Sequence, residues 1–148
     1  MVEDNLVIEN ATLLFRNFAG REGVYNKKGE MNFCVIIPDV DKAQELAEDG
    51  WNIRILSPRE EGDPVRHYIS VKVSFEHFPP NVWLITRKGK QKLDETSVEM
   101  LDYAELRTVD LIIRPYNWEH NGKSGVKAYL KTGYFTLEED EFAEKYAD

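Results

Sequence analysis

Val109-Asp110-Leu111-Ile112-Ile113-Arg114-Pro115-Tyr116-Asn117-Trp118, answered after a turn by Val126-Lys127-Ala128-Tyr129-Leu130-Lys131 and the run on to Leu137, is the stretch that decides the fold. Both arms are dense in β-branched and aromatic residues and alternate apolar with polar, the signature of strands with one buried face. His120-Asn121-Gly122-Lys123-Ser124-Gly125 lies between them and carries the residues of a tight turn, so the arms close as a hairpin. Alternation sends Val126, Ala128 and Leu130 inward and Lys127, Tyr129 and Lys131 outward. On the partner arm Leu111 and Ile113 go inward, leaving Ile112, Arg114, Tyr116 and Trp118 outward. Pro115 has no N–H for the ladder and implies an edge or a bulge, beyond which the alternation could reverse.

Cations interleaved with flat rings suit a polyanion whose bases are exposed, which is single-stranded nucleic acid. The competing reading of Tyr116, Trp118 and Tyr129 is a cross-strand aromatic cluster packed beneath a loop. Arg114, Lys127 and Lys131 tilt the balance to stacking, because a packed cluster needs no cations beside it. A second cationic site is Arg87-Lys88-Gly89-Lys90-Gln91-Lys92, read as a hairpin tip that follows a phosphate backbone or as a solvated turn. A third is Phe15-Arg16-Asn17-Phe18-Ala19-Gly20-Arg21 with Tyr25-Asn26-Lys27-Lys28-Gly29. The expected nucleic-acid contacts are Arg16, Phe18, Lys27, Lys28, Lys72, Arg87, Lys88, Lys90, Arg114, Tyr116, Trp118, Lys127, Tyr129 and Lys131.

Outward from the hairpin, strand signals cover 6–15, 31–37, 51–56, 68–75 and 81–87. In 68–75, Ile69, Val71, Val73 and Phe75 are apolar, and Ser70, Lys72 and Ser74 face out. Two helices are expected. One spans 40–48, capped by Asp39 or Asp41 and stopped by Gly50; the other is a short amphipathic stretch behind the capping-box pattern Thr96-Ser97-Val98-Glu99. This order predicts a mainly β protein, a small closed barrel of the oligonucleotide-binding (OB) type with one or two short helices; a β-sandwich is the alternative.

At 148 residues the chain suits one domain able to bury a core without staples. Its formal net charge of −8 argues at first sight against phosphate binding. The charge is unevenly distributed, however. Residues 138–148 hold six carboxylates against one lysine, and 39–49 hold five acids against one lysine, so the remainder is slightly positive. Hence the division is a binding domain over 1–137 and an acidic tail over 138–148. Cys34 is the single cysteine, which excludes an internal disulfide and a thiolate cluster and points to a reducing, cytoplasmic setting. The start carries no leader pattern and no apolar run approaches a membrane span.

Enzymatic chemistry finds little support. Gly20-x-x-Gly23 is no nucleotide loop, and His67, His77 and His120 have no metal-ligand spacing. Asp94, Glu95 and Glu99 could in principle hold magnesium for nuclease chemistry, but they sit where a helix start needs acids. No cofactor, metal or catalysis is expected.

Phe15-Arg16-Asn17-Phe18-Ala19-Gly20, Asn32-Phe33-Cys34, Gly50-Trp51-Asn52-Ile53 and the arm 109–119 together resemble the single-stranded DNA-binding proteins encoded by tailed bacteriophages, a likeness running over most of the chain. The resemblance implies an OB fold without catalysis and a role in protecting strands during replication, recombination or repair. It also implies that the acidic tail recruits replication or recombination proteins, with Phe142 and Tyr146 as anchors. Tails of this kind tend to finish on Phe, whereas this one ends Tyr146-Ala147-Asp148. A docked helix with Phe142 and Tyr146 on one face is the other reading of the tail. From another class, the exposed rings could bind protein in a phage replisome or particle; a homodimer is compatible with the sequence.

Overall fold

The decisive hairpin forms from two strands of 15 residues each, Leu106–His120 and Lys123–Leu137, joined by Asn121-Gly122. Both turn residues take positive φ, 51° and 77°, the backbone that makes Asn-Gly the strongest two-residue hairpin signal. The computed structural model describes residues 2–139. Within them the strands are β1 (Leu6–Ile8), β2 (Leu13–Asn17), β3 (Met31–Ile37), β4 (Ile53–Leu56), β5 (Arg66–Val73), β6 (Asn81–Thr86), β7 (Gly89–Leu93), β8 (Leu106–His120) and β9 (Lys123–Leu137). One helix, α1 (Val40–Asp49), follows β3, and a 3₁₀ turn at Val98–Asp102 precedes β8.

The protein is therefore mainly β, with one α-helix among the described residues. All nine strands join a single sheet, which removes the two-sheet sandwich. Its main path is β1-β8-β9-β5-β3-β2, with β4 added to β5 and the β6–β7 hairpin added to β9. This path is open between β1 and β2, where the sequence reading has a closed barrel. Among the described residues no helix is long and apolar enough to cross a membrane.

One core fills the inner side. Phe18 stacks on Phe33 with ring centroids 5.1 Å apart and meets Phe135 edge-on at 5.8 Å. Around them Val35, Ile69, Val71, Leu111, Ile113 and Leu130 are buried, the inward residues of β3, β5, β8 and β9 closing on one another. Gly133 has to be glycine, because the Phe135 ring lies over it and a Cβ would collide. Asn117 points to this side and exchanges two hydrogen bonds with the Val2 backbone, accepting from its N–H at 3.0 Å and donating to its carbonyl at 2.7 Å.

Several local expectations change. The run 6–15 is two strands, because Asn10 turns to φ 51° and donates its N–H to Asp110 at 2.9 Å, ending the first ladder. Gly89–Leu93, read as part of a hairpin tip or a solvated turn, is a strand in full register with β6. Asp39 caps α1 through the Asp41 and Lys42 N–H groups, and Gly50 ends it at φ 117°. At the 3₁₀ turn the N-cap position is Ser97, which makes no side-chain cap bond, and the capping-box pattern does not form; the preceding turn is held by Asp94, whose carboxylate accepts from the Thr96 and Ser97 N–H groups and both hydroxyls. Those bonds hold the Asp94 carboxyl below the usual carboxylate range.

Phe18, expected at the nucleic acid, is the centre of the core, with no exposed surface. Replacing it with Ala removes the middle ring of three and should cost roughly 3–5 kcal/mol of stability. A denaturant melt of Phe18→Ala checks this, with DNA affinity per folded molecule expected to stay at the wild-type value.

Candidate nucleic-acid interface

Register builds a transverse row on the outer face of the sheet. Asn17 on β2 lies opposite Asn32 on β3, Asn32 opposite Lys72 on β5, Lys72 beside Tyr129 on β9, and Tyr129 opposite Arg114 on β8. Paired residues share a face, so five strands present amide, amide, ammonium, phenol and guanidinium in line. A second row adjoins it, with Tyr116 opposite Lys127 and Trp118 opposite Gly125. The parity expected for the hairpin survives Pro115. The register slip nearest to it lies two residues earlier, between Ile112 and Ile113, where Lys131 is the extra residue on β9.

Rings gather where the rows meet β8. Tyr116 and Tyr129 pack edge to face at 6.0 Å, and Phe78 lies 6.0 Å from Tyr116 and 5.4 Å from Tyr129. The Arg114 guanidinium sits 5.3 Å from the Phe78 centroid. Thus the aromatic cluster and the cationic face occur together, and Tyr116 remains 43% exposed. Burial, the neighbouring Tyr116 and the Glu30 carboxylate push the Tyr129 phenol above its ordinary pKa of 10.0, so it stays a neutral donor. Trp118 lies flat on Gly125, where a Cβ would stand 2.8 Å from the indole.

Two cavities open on this face and share Lys72. One, of about 250 Å³, is bounded by Arg54, Ser70, Lys72, Trp118 and Lys127 and, among the described residues, has no carboxylate in its lining. The other, of about 440 Å³, runs past Lys28, Asn32, Lys72 and Tyr129 and includes Glu30, Glu76 and Glu95. Together they form a groove whose cations concentrate at one end and whose mixed charges lie at the other. The loop carrying Lys27 and Lys28 is held over it by Asn26, whose amide donates to the carbonyls of Arg21, Lys27 and Glu30. Gly20 and Gly29 pass so closely that a Cβ on Gly20 would meet the Gly29 backbone at 3.0 Å.

Of the expected contacts, Lys28, Lys72, Arg114, Tyr116, Trp118, Lys127 and Tyr129 come together, with Lys27 on the overhanging loop. Others do not join them. Arg16 is committed to the fold: its Nη1 donates to the carbonyls of Leu101 and Ala104, both at 2.8 Å, and ties the 3₁₀ turn to β2. Arg87, Lys88 and Lys90 line neither cavity. They belong to the β6–β7 hairpin, where Lys90 sits 4.6 Å from the Trp83 ring and Arg87 bridges to Glu139 at 3.4 Å. Lys131 is half-buried at the bulge. Phe142 and Tyr146 lie outside the described residues. Sequence reasoning missed Arg54, which alternation along β4 offered, and Phe78, for which the loop Phe78-Pro79-Pro80 carries no such signal.

A single β-sheet that aligns cations, amides and rings across its outer face over an open groove defines a nucleic-acid-binding β-protein. More narrowly, the chain belongs to the family described as "Putative phage ssDNA-binding domain", whose model matches residues 1–148, and it is accordingly a binding protein rather than an enzyme. Its fold is similar to the single-stranded DNA-binding protein of bacteriophage Enc34 in complex with ssDNA. That match has a TM-score of 0.60 at 14% identity and covers 93% of this chain and 89% of that one. A second structure of the single-stranded DNA-binding protein from bacteriophage Enc34 gives a TM-score of 0.58 at 16% identity, covering 97% and 87%. Comparison with curated protein sequences finds no match.

Removing the indole by Trp118→Ala, or the phenol by Tyr116→Ala, should weaken single-stranded DNA binding by roughly 1–3 kcal/mol for each ring that stacks on a base. Fluorescence titration with oligonucleotides, beside a thermal melt, separates this from a packing role, in which the melt falls and affinity per folded molecule holds.

Proposed function

We propose that the protein binds single-stranded DNA along the groove, with little sequence preference, during phage replication, recombination or repair in the host cytoplasm. The observation that carries this is the row Asn17, Asn32, Lys72, Tyr129 and Arg114. Arg54, Lys72 and Lys127 take the phosphates, because they surround the cavity to which no described residue brings a carboxylate. Tyr116, Tyr129, Trp118 and Phe78 offer the surfaces for bases. A ring stacks on any base and an ammonium meets any phosphate, so sequence tolerance follows from the residue types. Duplex DNA hides its base faces and is disfavoured. The single sheet of nine described strands supports an OB-like reading of the domain 1–137.

The tail 138–148 acts as an acidic competitor and as a recruiting segment for replication or recombination proteins. Support comes from its first two residues. Glu138 bridges to Arg107 at 3.7 Å, and Glu139 accepts from the Arg87 backbone N–H at 3.1 Å while pairing with its side chain. Arg107 and Arg87 border neither groove cavity, so the contest with phosphates for Arg54, Lys72 and Lys127 falls to the acids that follow in the tail.

A salt series comparing single-stranded with duplex DNA tests the groove. Single strands should bind more tightly, and log K should fall linearly with log salt. Lys72→Ala with Lys127→Ala should flatten that slope by roughly 0.7 for each lost phosphate contact, whatever the sequence of the oligonucleotide. An unchanged slope in a folded double variant removes both lysines from the interface. Deleting 138–148 should tighten binding, most at low ionic strength where charges are least screened; equal affinity with a lower melting temperature would instead make the tail a structural part of the domain.

A further inference from the structure

Phe15 is an aromatic residue in a place that backbone geometry reserves for glycine. Along β2, Leu13 pairs with Val35 and Leu14 with Cys34, but the next pair is Asn17 with Asn32, so Phe15 and Arg16 together oppose Phe33. This is a bulge, and its first residue takes φ 52°, the left-handed region that a bulky L-residue rarely adopts. Strict alternation would turn Phe15 inward, like Leu13. The bulge turns it out instead: its ring is 64% exposed and meets Tyr68 edge to face at 6.4 Å. Backbone strain held in place to expose a ring points to a use for that ring.

The pair stands where the groove would continue. Tyr68 on β5 lies opposite Arg54 on β4, and Arg54 borders the cavity it shares with Lys72, Lys127 and Trp118. From Trp118 the outer face therefore runs to a cation, then to Tyr68, then to Phe15. We propose that Phe15 and Tyr68 form a further stacking station for an unpaired base of the same DNA strand, with Arg54 taking the phosphate between this station and the central groove. The proposal rests on the groove reading above and extends its length. Cationic continuity favours DNA over a second copy of the chain as the occupant, since an apolar self-contact has no need of Arg54 beside it.

Phe15→Gly is the informative variant, because glycine accepts the left-handed backbone and deletes the ring without straining the bulge. Full-length wild type, Phe15→Gly and Tyr68→Ala are titrated with oligothymidylates from about 4 to about 16 nucleotides, the span of single-domain sites. For Phe15→Gly the melting temperature should hold or rise. Its affinity for the shortest oligomers should be that of wild type, while affinity for the longest falls on the order of 5- to 100-fold. Tyr68→Ala should show the same dependence on length, and ultraviolet crosslinking of the wild type should place nucleotide on Phe15 or Tyr68. Unchanged affinity at every length in folded Phe15→Gly overturns the proposal and leaves the groove standing. A shift in sedimentation with unchanged affinity for long oligomers also overturns it, by making Phe15 a self-association contact. A wild type that binds no oligomer overturns the groove reading itself and this one with it.

Discussion

Everything on the binding face depends on how β9 is shared. Val126–Ala128 and their neighbours pair with β8, Ala128 and Tyr129 with β5, and the stretch from Thr132 to Thr136 with β6. A strand paired on both sides cannot slide, because a one-residue slip would carry its whole apolar set to the opposite face. Yet β9 has to serve two parities. Near the turn its even residues, Ala128 and Leu130, are buried; towards its end the odd ones, Gly133 and Phe135, are. The extra residue Lys131, opposite the step from Ile112 to Ile113, makes that switch. Without it, either Leu130 or Phe135 would leave the core, and in the first case Tyr129 would no longer stand beside Lys72.

The same bulge marks the limit of what could be read in advance. Alternation in 109–118 and 126–131 is clean, so the outward placement of Arg114, Tyr116, Trp118, Lys127 and Tyr129 was legible from residue types alone. Pro115 drew attention as the likeliest place for a slip by chemistry, but a proline can sit in the ladder wherever its missing N–H is not called on, and the slip fell at Ile112–Ile113 instead. Nothing local announces a bulge between two isoleucines. Phe18 was misjudged for a related reason. It lies between Asn17 and Gly20 in a segment that reads as a polar loop, and only the bulge at Phe15 and Arg16 sets it to face Phe33 and Phe135. Arg16 went the same way. A guanidinium beside a ring in a glycine-bearing segment looks like a phosphate ligand, whereas the demand that decided its place was two carbonyls left open at the end of the 3₁₀ turn.

Long-range pairing also decides which cations work together. Lys72 is separated from Arg54 and from Lys127 along the chain, and no spacing rule joins them. They meet because β5 is flanked by β3 on one edge and by β4 and β9 in succession on the other. Conversely, the densest cationic run in the sequence, 87–92, ends on a hairpin where Lys90 and Lys92 both approach Trp83 and Arg87 meets Glu139. Local charge density is a poorer guide to the interface than strand order.

An acidic protein that binds a polyanion has to keep its own charges from opposing the ligand. Here the separation is spatial. Screening in physiological salt confines a surface charge to about 8 Å, so the carboxylates that matter are those within the groove. At the end bounded by Arg54, Lys72 and Lys127 the described residues supply none; Glu30, Glu76 and Glu95 gather at the other, near Lys28 and Tyr129. That polarity suits a strand whose phosphates follow the first end while its bases turn towards the second, where carboxylates can accept hydrogen bonds from exocyclic amino groups and repel a misplaced phosphate. The net charge of the chain then opposes DNA only at long range and low salt, and the groove decides the close approach.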